Sequence, residues 1–210
     1  ALREGLDVWM AKAAGNAVVD YGFHMIMGDV TDATLAEMDK LVAEGIPDFK
    51  LFTAYPGVFL SPDDHIFRAL QQTRKNGGLI LMHAENGPVI DVLAADLVAA
   101  GVTDPIGHGL ARHPGMEAEA ANRVIRLAEA ADAPVYFVHL SSRDALEVVA
   151  AARHRGSMVF AETCPQYLFL TLDDLGNGFE GAKYVCSPPL RPKDHLEDLW
   201  RGLRRNELQL

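Results

Sequence analysis

At 210 residues and 49% hydrophobic composition, the chain is long enough to bury a substantial core. A formal charge of −10 argues against a nucleic-acid surface and against binding to an anionic membrane. No stretch reads as a signal peptide, and the most apolar run, 89–102, contains Asp91 and Asp96 and is too short to span a bilayer.

The two cysteines, Cys164 and Cys186, make no disulfide framework and read as buried thiols. A reduced, cytoplasmic interior is the natural setting for such a chain. In chain order, Ala17 to Met27 reads as a buried strand, and Thr31-Asp32 opens a helix through Met38 and Leu41 that Gly45 ends. Phe49 to Thr53 is a short strand. Ser61-Pro62, with Asp64 close behind, starts a helix with Ile66, Phe67 and Leu70 on one face and a stop at Asn76-Gly77. Leu79 to His83 is a strand followed by a helical segment through Ala100, and Gly101 to Gly115 reads as a long loop.

Met116 to Ala131 has helix formers and apolar spacing at Ala121, Val124, Ile125 and Ala128. Val135 to His139 (strand), Ser142 to Arg155 (helix) and Met158 to Glu162 (strand) follow. Cys164 to Arg191 reads as irregular, and a last helix from near Pro192 carries Leu196, Leu199, Trp200 and Leu203. It is expected to continue to the chain end at Leu210.

Strands alternating with helices make an α/β protein with a parallel sheet. A doubly wound sheet and a (β/α)₈ barrel both fit. No glycine-rich phosphate or dinucleotide turn follows any strand, and functional-looking residues end several strands in a row, which favours a TIM-like barrel. A closed barrel takes eight strands and roughly 250 residues. The expectation is therefore a partial barrel, with 1–210 as the central portion of a catalytic domain lacking its N-terminal and C-terminal strands.

Three strand ends carry the chemistry. Lys50 lies in Phe49-Lys50-Leu51-Phe52, His83 follows Leu79-Ile80-Leu81-Met82, and His139 follows Val135-Tyr136-Phe137-Val138. An ammonium at such a place is costly to desolvate. A neutral lysine amine can instead add to carbon dioxide, giving an anionic carbamate whose two oxygens can bridge two cations. Histidines would fill further positions. Arginine could not serve, because it does not become a neutral amine.

The segments Lys50-Leu51-Phe52-Thr53-Ala54-Tyr55-Pro56-Gly57, His83-Ala84-Glu85-Asn86-Gly87 and Val138-His139-Leu140-Ser141-Ser142 resemble the dihydropyrimidinase/hydantoinase family of cyclic amidohydrolases. So do Glu162-Thr163-Cys164-Pro165-Gln166-Tyr167-Leu168 and Cys186-Ser187-Pro188-Pro189-Leu190-Arg191, in the family's order. The resemblance implies that Lys50 is a carboxylated, metal-bridging lysine and that His83 and His139 are metal ligands. It implies that Tyr55 donates to the oxyanion of the tetrahedral intermediate, and that the backbone at Ser187 holds the substrate's ring amide. The implied cofactors are two divalent ions, zinc by default, with manganese or cobalt able to substitute.

The implied reaction opens a dihydropyrimidine or hydantoin ring to an N-carbamoyl amino acid, in a homotetramer acting on a small cyclic ureide. Allantoinase and dihydroorotase are alternatives within the class; Tyr55, five residues after the lysine, favours the hydantoinase type. A non-catalytic relative used for assembly is the alternative outside it. The family's His-x-His pair and its catalytic aspartate have no counterpart here, so this stretch alone is expected to be inactive.

Other residues have plainer readings. His24 is read as structural, and His108 and His113 as loop histidines, solvated or near an interface. Glu85 and Glu162 are equally open to being bystanders or partners of the metal histidines. Arg191 and Lys193 are open to contacting substrate but are assigned to a helix-start surface, and Arg201, Arg204 and Arg205 to a solvated helix face.

Overall fold

The computed structural model describes residues 2–209. Helix α1 (Leu2–Ala13) precedes the first short strand, β1 (Met25–Ile26). Ten further elements follow: α2 (Asp32–Ala43), β2 (Asp48–Phe52), α3 (Asp63–Asn76), β3 (Leu79–His83), α4 (Gly87–Ala99), α5 (Ile106–Leu110), α6 (Pro114–Ala131), β4 (Val135–Phe137), α7 (Arg143–His154) and β5 (Val159–Ala161). Helix α8 (Pro165–Phe169), two 3₁₀ turns and α9 (Asp194–Arg204) complete the described chain. Local chemistry sets the boundaries. Thr31 and Thr34 cap α2 reciprocally, Gly77 ends α3 in the left-handed conformation at φ 80°, and Ser142 accepts the amide of Ala145 to open α7.

All strand pairs are parallel, and the order in the sheet is β1-β2-β3-β4-β5 without reversal. Parallel crossovers share one hand, so a sheet that never reverses its order puts every crossover helix on the same face. A doubly wound sheet must reverse to cover both faces. The singly wound order therefore separates the two alternatives left open by the alternation and gives a (β/α)-barrel type of sheet.

The two faces differ accordingly. Phe49, Leu51, Ile80, Met82, Val135, Phe137 and Val159 are buried in one core with Ile66, Leu70, Val124, Ile125 and Val149 of the helices. On the opposite face the register aligns Ile26, Lys50, Leu81, Tyr136 and Phe160 in one row. Its outer members are open, with Ile26 at 47% and Phe160 at 44% exposure.

Several expectations change. Of the run 17–27 only Met25–Ile26 is strand, and Val18 and Val19 stand in solvent; β-branched residues without a neighbouring strand make no ladder. The loop 101–115 contains α5, and 164–191 contains α8 and the 3₁₀ turns. The last helix ends at Arg204; Gln209 then bridges to Glu162 in parallel, donating its amide to the Ala161 carbonyl (2.9 Å) on the free edge of β5. Leu210 lies outside the described residues. Cys164 and Cys186 are only partly buried.

Arg191 is not a surface residue. It is 2% exposed, with Nη2 donating to Glu117 Oε2 (2.9 Å), Nε to Ser141 Oγ (2.9 Å) and Nη1 to the Arg112 carbonyl. Glu117 in turn accepts the Ser141 amide and hydroxyl, each at 2.8 Å. Removing one partner of such a pair strands a buried charge. Arg191→Met should therefore destabilise the full-length protein by about 3–5 kcal/mol, read as a lowered denaturant midpoint. An unchanged midpoint would contradict the buried pair.

Candidate active site

Parallel register brings the singled-out residues to one end of the sheet. His83 is the last residue of β3 and pairs in register with Phe52, so their side chains leave the same face. Lys50 leaves that face two residues earlier, in the middle of β2 rather than at its end. His139 lies two residues beyond β4, at a backbone φ of 45°, and Tyr55 lies three beyond β2, at φ 63°. A left-handed backbone is unusual for residues with a Cβ and marks positions held by their surroundings. Tyr55 is held by its carbonyl, which accepts the amides of Val58, Phe59 and Leu60.

The loops are stitched together below these side chains. Thr53 Oγ1 donates to the Glu85 carbonyl (2.8 Å) and accepts the Glu85 amide (3.0 Å). Gly87 packs so close to Ala54 that a Cβ there would lie 2.8 Å from Ala54 Cα. Tyr55 and His83 thus sit with ring centroids 5.1 Å apart, and His83 and His139 with theirs 4.8 Å apart.

His83 Nδ1 faces His139 Nε2 at 3.1 Å, and His83 Nε2 lies 2.8 Å from Glu85 Oε2. Assigned from its partners, His83 carries its proton on Nε2 and donates it to Glu85, which leaves Nδ1 as a lone pair. His139 is neutral. Burial first, then electrostatic interaction with His83 and with the Lys50 ammonium, push its pKa down to about 3. Burial also lowers the Lys50 ammonium, while Glu162 opposes that shift. Burial raises the Tyr55 hydroxyl, against a hydrogen bond to Ser187, so Tyr55 stays protonated and able to donate.

The fit to a cation can be judged from the imidazole pair. A tetrahedral ion with metal–nitrogen distances of about 2.0–2.1 Å holds its ligand atoms about 3.4 Å apart. Two ring nitrogens facing each other at 3.1 Å, with a carboxylate behind one ring, approximate that spacing. The fit is partial, since no cluster of three or more His, Cys, Asp or Glu side chains occurs among the described residues.

Ser187 joins the group from the far side. Its Oγ lies 3.3 Å from His108 Nε2, which is 2.8 Å from the Cys186 carbonyl. Tyr55, His83, His139 and Ser187 thus gather at one end of the sheet, with Lys50 on the same face two residues before that end. His108 and Arg112 were not among them. The signal that could have found them is the Gly-, Pro- and His-rich run 101–115, whose polar residues exceed what a plain connection needs. Of the two open glutamates, Glu85 backs His83, while Glu162 accepts the Tyr136 hydroxyl at 2.9 Å. His24 is exposed beside Asp48, and His113 caps α6 by accepting the Gly115 amide.

No family model matches the sequence. The chain is 59% identical to a D-hydantoinase of Streptomyces coelicolor, over 100% of this chain and 45% of that protein. It is 46% identical to a D-hydantoinase of Geobacillus stearothermophilus, over 99% of this chain and 45% of that protein. Among solved structures it superposes on a dihydropyrimidinase from Brevibacillus agri with a TM-score of 0.97 at 44% identity, covering 100% of this chain and 46% of that one. The chain spans about half the length of the curated relatives it matches. With the motif order, the singly wound sheet and these likenesses in agreement, the chain is homologous along its described length to the D-hydantoinases and dihydropyrimidinases and corresponds to a little under half of one.

Proposed function

We propose that residues 1–210 are the central portion of a (β/α)₈ barrel in a cytoplasmic, metal-dependent hydrolase that opens cyclic ureide rings, a hydantoin or a dihydropyrimidine, to N-carbamoyl amino acids. The observation that carries this reading is the meeting of Tyr55 and two facing imidazoles at one sheet end. The relatives named D-hydantoinase support the substrate class. The open row Ile26, Lys50, Leu81, Tyr136 and Phe160 would line the barrel interior, and the remaining metal ligands and the proton-transferring aspartate would come from the rest of the protein.

His83 through Nδ1 and His139 through Nε2 would hold one divalent ion, and Lys50 would bridge to a second as a carbamate. That carbamate forms when the neutral amine attacks carbon dioxide, making an N–C bond and releasing a proton. Bound there, two divalent ions, zinc by default, would supply Lewis acidity to the ring carbonyl and an acidified water. Glu85 keeps His83 in one tautomer. Tyr55 keeps its proton and donates it toward the oxygen on which charge develops. Ser187 offers backbone groups to the planar ring amide. The assembly would be a homotetramer by family analogy.

In the full-length enzyme, Lys50→Ala should lower metal content and slow hydantoin opening by about a thousandfold or more, ~4 kcal/mol of barrier. A variant that kept its metals and its rate would end the reading. Tyr55→Phe should cut kcat by about 10²–10³ with KM little changed; a KM effect alone would assign Tyr55 to ground-state binding instead. Because the Tyr55 pKa is raised, its protonated form persists to higher pH, and no alkaline loss of kcat from tyrosine ionisation is expected below about pH 10. The assembly-protein alternative predicts a metal-free full-length protein with no ring opening.

A further inference from the structure

Arg112 stands between the two halves of this site. It lies just past α5, and its carbonyl accepts from the buried Arg191. Its Nη1 donates to His108 Nδ1 at 3.1 Å and to the His108 carbonyl at 3.3 Å. Its Nε lies 3.9 Å from Glu85 Oε1. Arg112 Nε and Glu85 Oε1 are both buried and neither has a hydrogen-bond partner, so each is the nearest compensation for the other.

A guanidinium has donors and no acceptor. Nδ1 of His108, which receives an Arg112 hydrogen bond, therefore carries the lone pair, and the proton is on Nε2. That Nε2–H is donated to the Cys186 carbonyl at 2.8 Å, with Ser187 Oγ alongside at 3.3 Å. On the other side, Glu85 Oε2 takes the Nε2–H of His83. One polar path thus runs from His139 and His83 through Glu85, Arg112 and His108 to Ser187.

We propose that Arg112 is a positioning residue serving both ends of the site. It fixes His108 in the tautomer that pins the Cys186–Ser187 backbone, and it supplies the counter-charge for the buried carboxylate behind His83. The proposal rests on the function proposed above for the meaning of the two ends, but its geometry does not require turnover. A lysine could keep the charge but not the fork, since one ammonium cannot reach both Glu85 and His108 as a planar guanidinium does.

The test uses the full-length protein with Zn²⁺ as the metal probe and hydantoin as substrate. In Arg112→Met, chelator should strip Zn²⁺ about tenfold faster, and KM should rise about tenfold while kcat stays within about threefold. The ¹⁵N signals of His108 should change from one fixed tautomer to a mixture. His108→Leu, which cuts only the far arm, should raise KM similarly with Zn²⁺ release at the unsubstituted rate. A purely structural Arg112 would lower the melting temperature and leave Zn²⁺ release, KM and the tautomer unchanged, which overturns the proposal. Should Arg112→Met not fold, an unchanged KM in His108→Leu overturns it as well. If the unsubstituted protein opens no ring, the function reading fails, while Zn²⁺ release and the ¹⁵N signals still decide the role of Arg112.

Discussion

The frame of this site is the parallel register of β2, β3 and β4, to which two left-handed residues past the strand ends, Tyr55 and His139, are added. In-register parallel neighbours send their side chains the same way, so a residue chosen at one strand end meets a residue chosen at the next. Phe52 pairs with His83, and the left-handed turn at His139, two residues past β4, swings its ring into contact with His83. The helices bury the opposite face of the sheet, which leaves this face free for polar groups. Slipping one strand by one residue would send Lys50 and His83 to opposite sides.

Polar side chains gathered this way must be satisfied by one another, because burial without partners is costly. The structure meets most of this with two linked networks, leaving Glu85 Oε1, Arg112 Nε and His139 Nδ1 buried without a hydrogen-bond partner. Thr53, Glu85 and His83 tie β2 to β3. Glu117, Ser141 and Arg191 tie the loop after His139 to the segment after Ser187. Two of the candidate ligands, Lys50 and His83, stand on strands and His139 lies just past one, and the loops that would face a substrate are braced by buried charge. Rigid support of this kind keeps reacting groups within the narrow tolerances catalysis needs.

Much of this was legible in the sequence, and the failures have physical causes. β2, β3, β4 and β5 were readable because each is a short apolar run ending in turn chemistry. The run 17–27 looked the same but has a paired neighbour only at Met25 and Ile26. Helix α5 was hidden by Gly107 and Gly109 inside it, which depress local helix propensity. Arg191 was misplaced because nothing local reveals Glu117, 74 residues away. That Lys50 and His83 share a face was legible, since register alone sets it; the left-handed turns that bring Tyr55 and His139 to His83 were not. Ser187 came from motif likeness alone, and the His108 and Arg112 contacts that support it span up to 79 residues of chain. Such pairings arise from tertiary packing and leave no periodic trace.

The central claim is that two imidazoles are set to grip one cation, and locating that ion is its most direct test. A crystal structure of the full-length protein, with data collected at the absorption edge of its metal, should place an anomalous peak about 2.0–2.1 Å from His83 Nδ1 and His139 Nε2 together. An occupied metal elsewhere, with these two nitrogens hydrogen-bonded only to each other, would contradict the account.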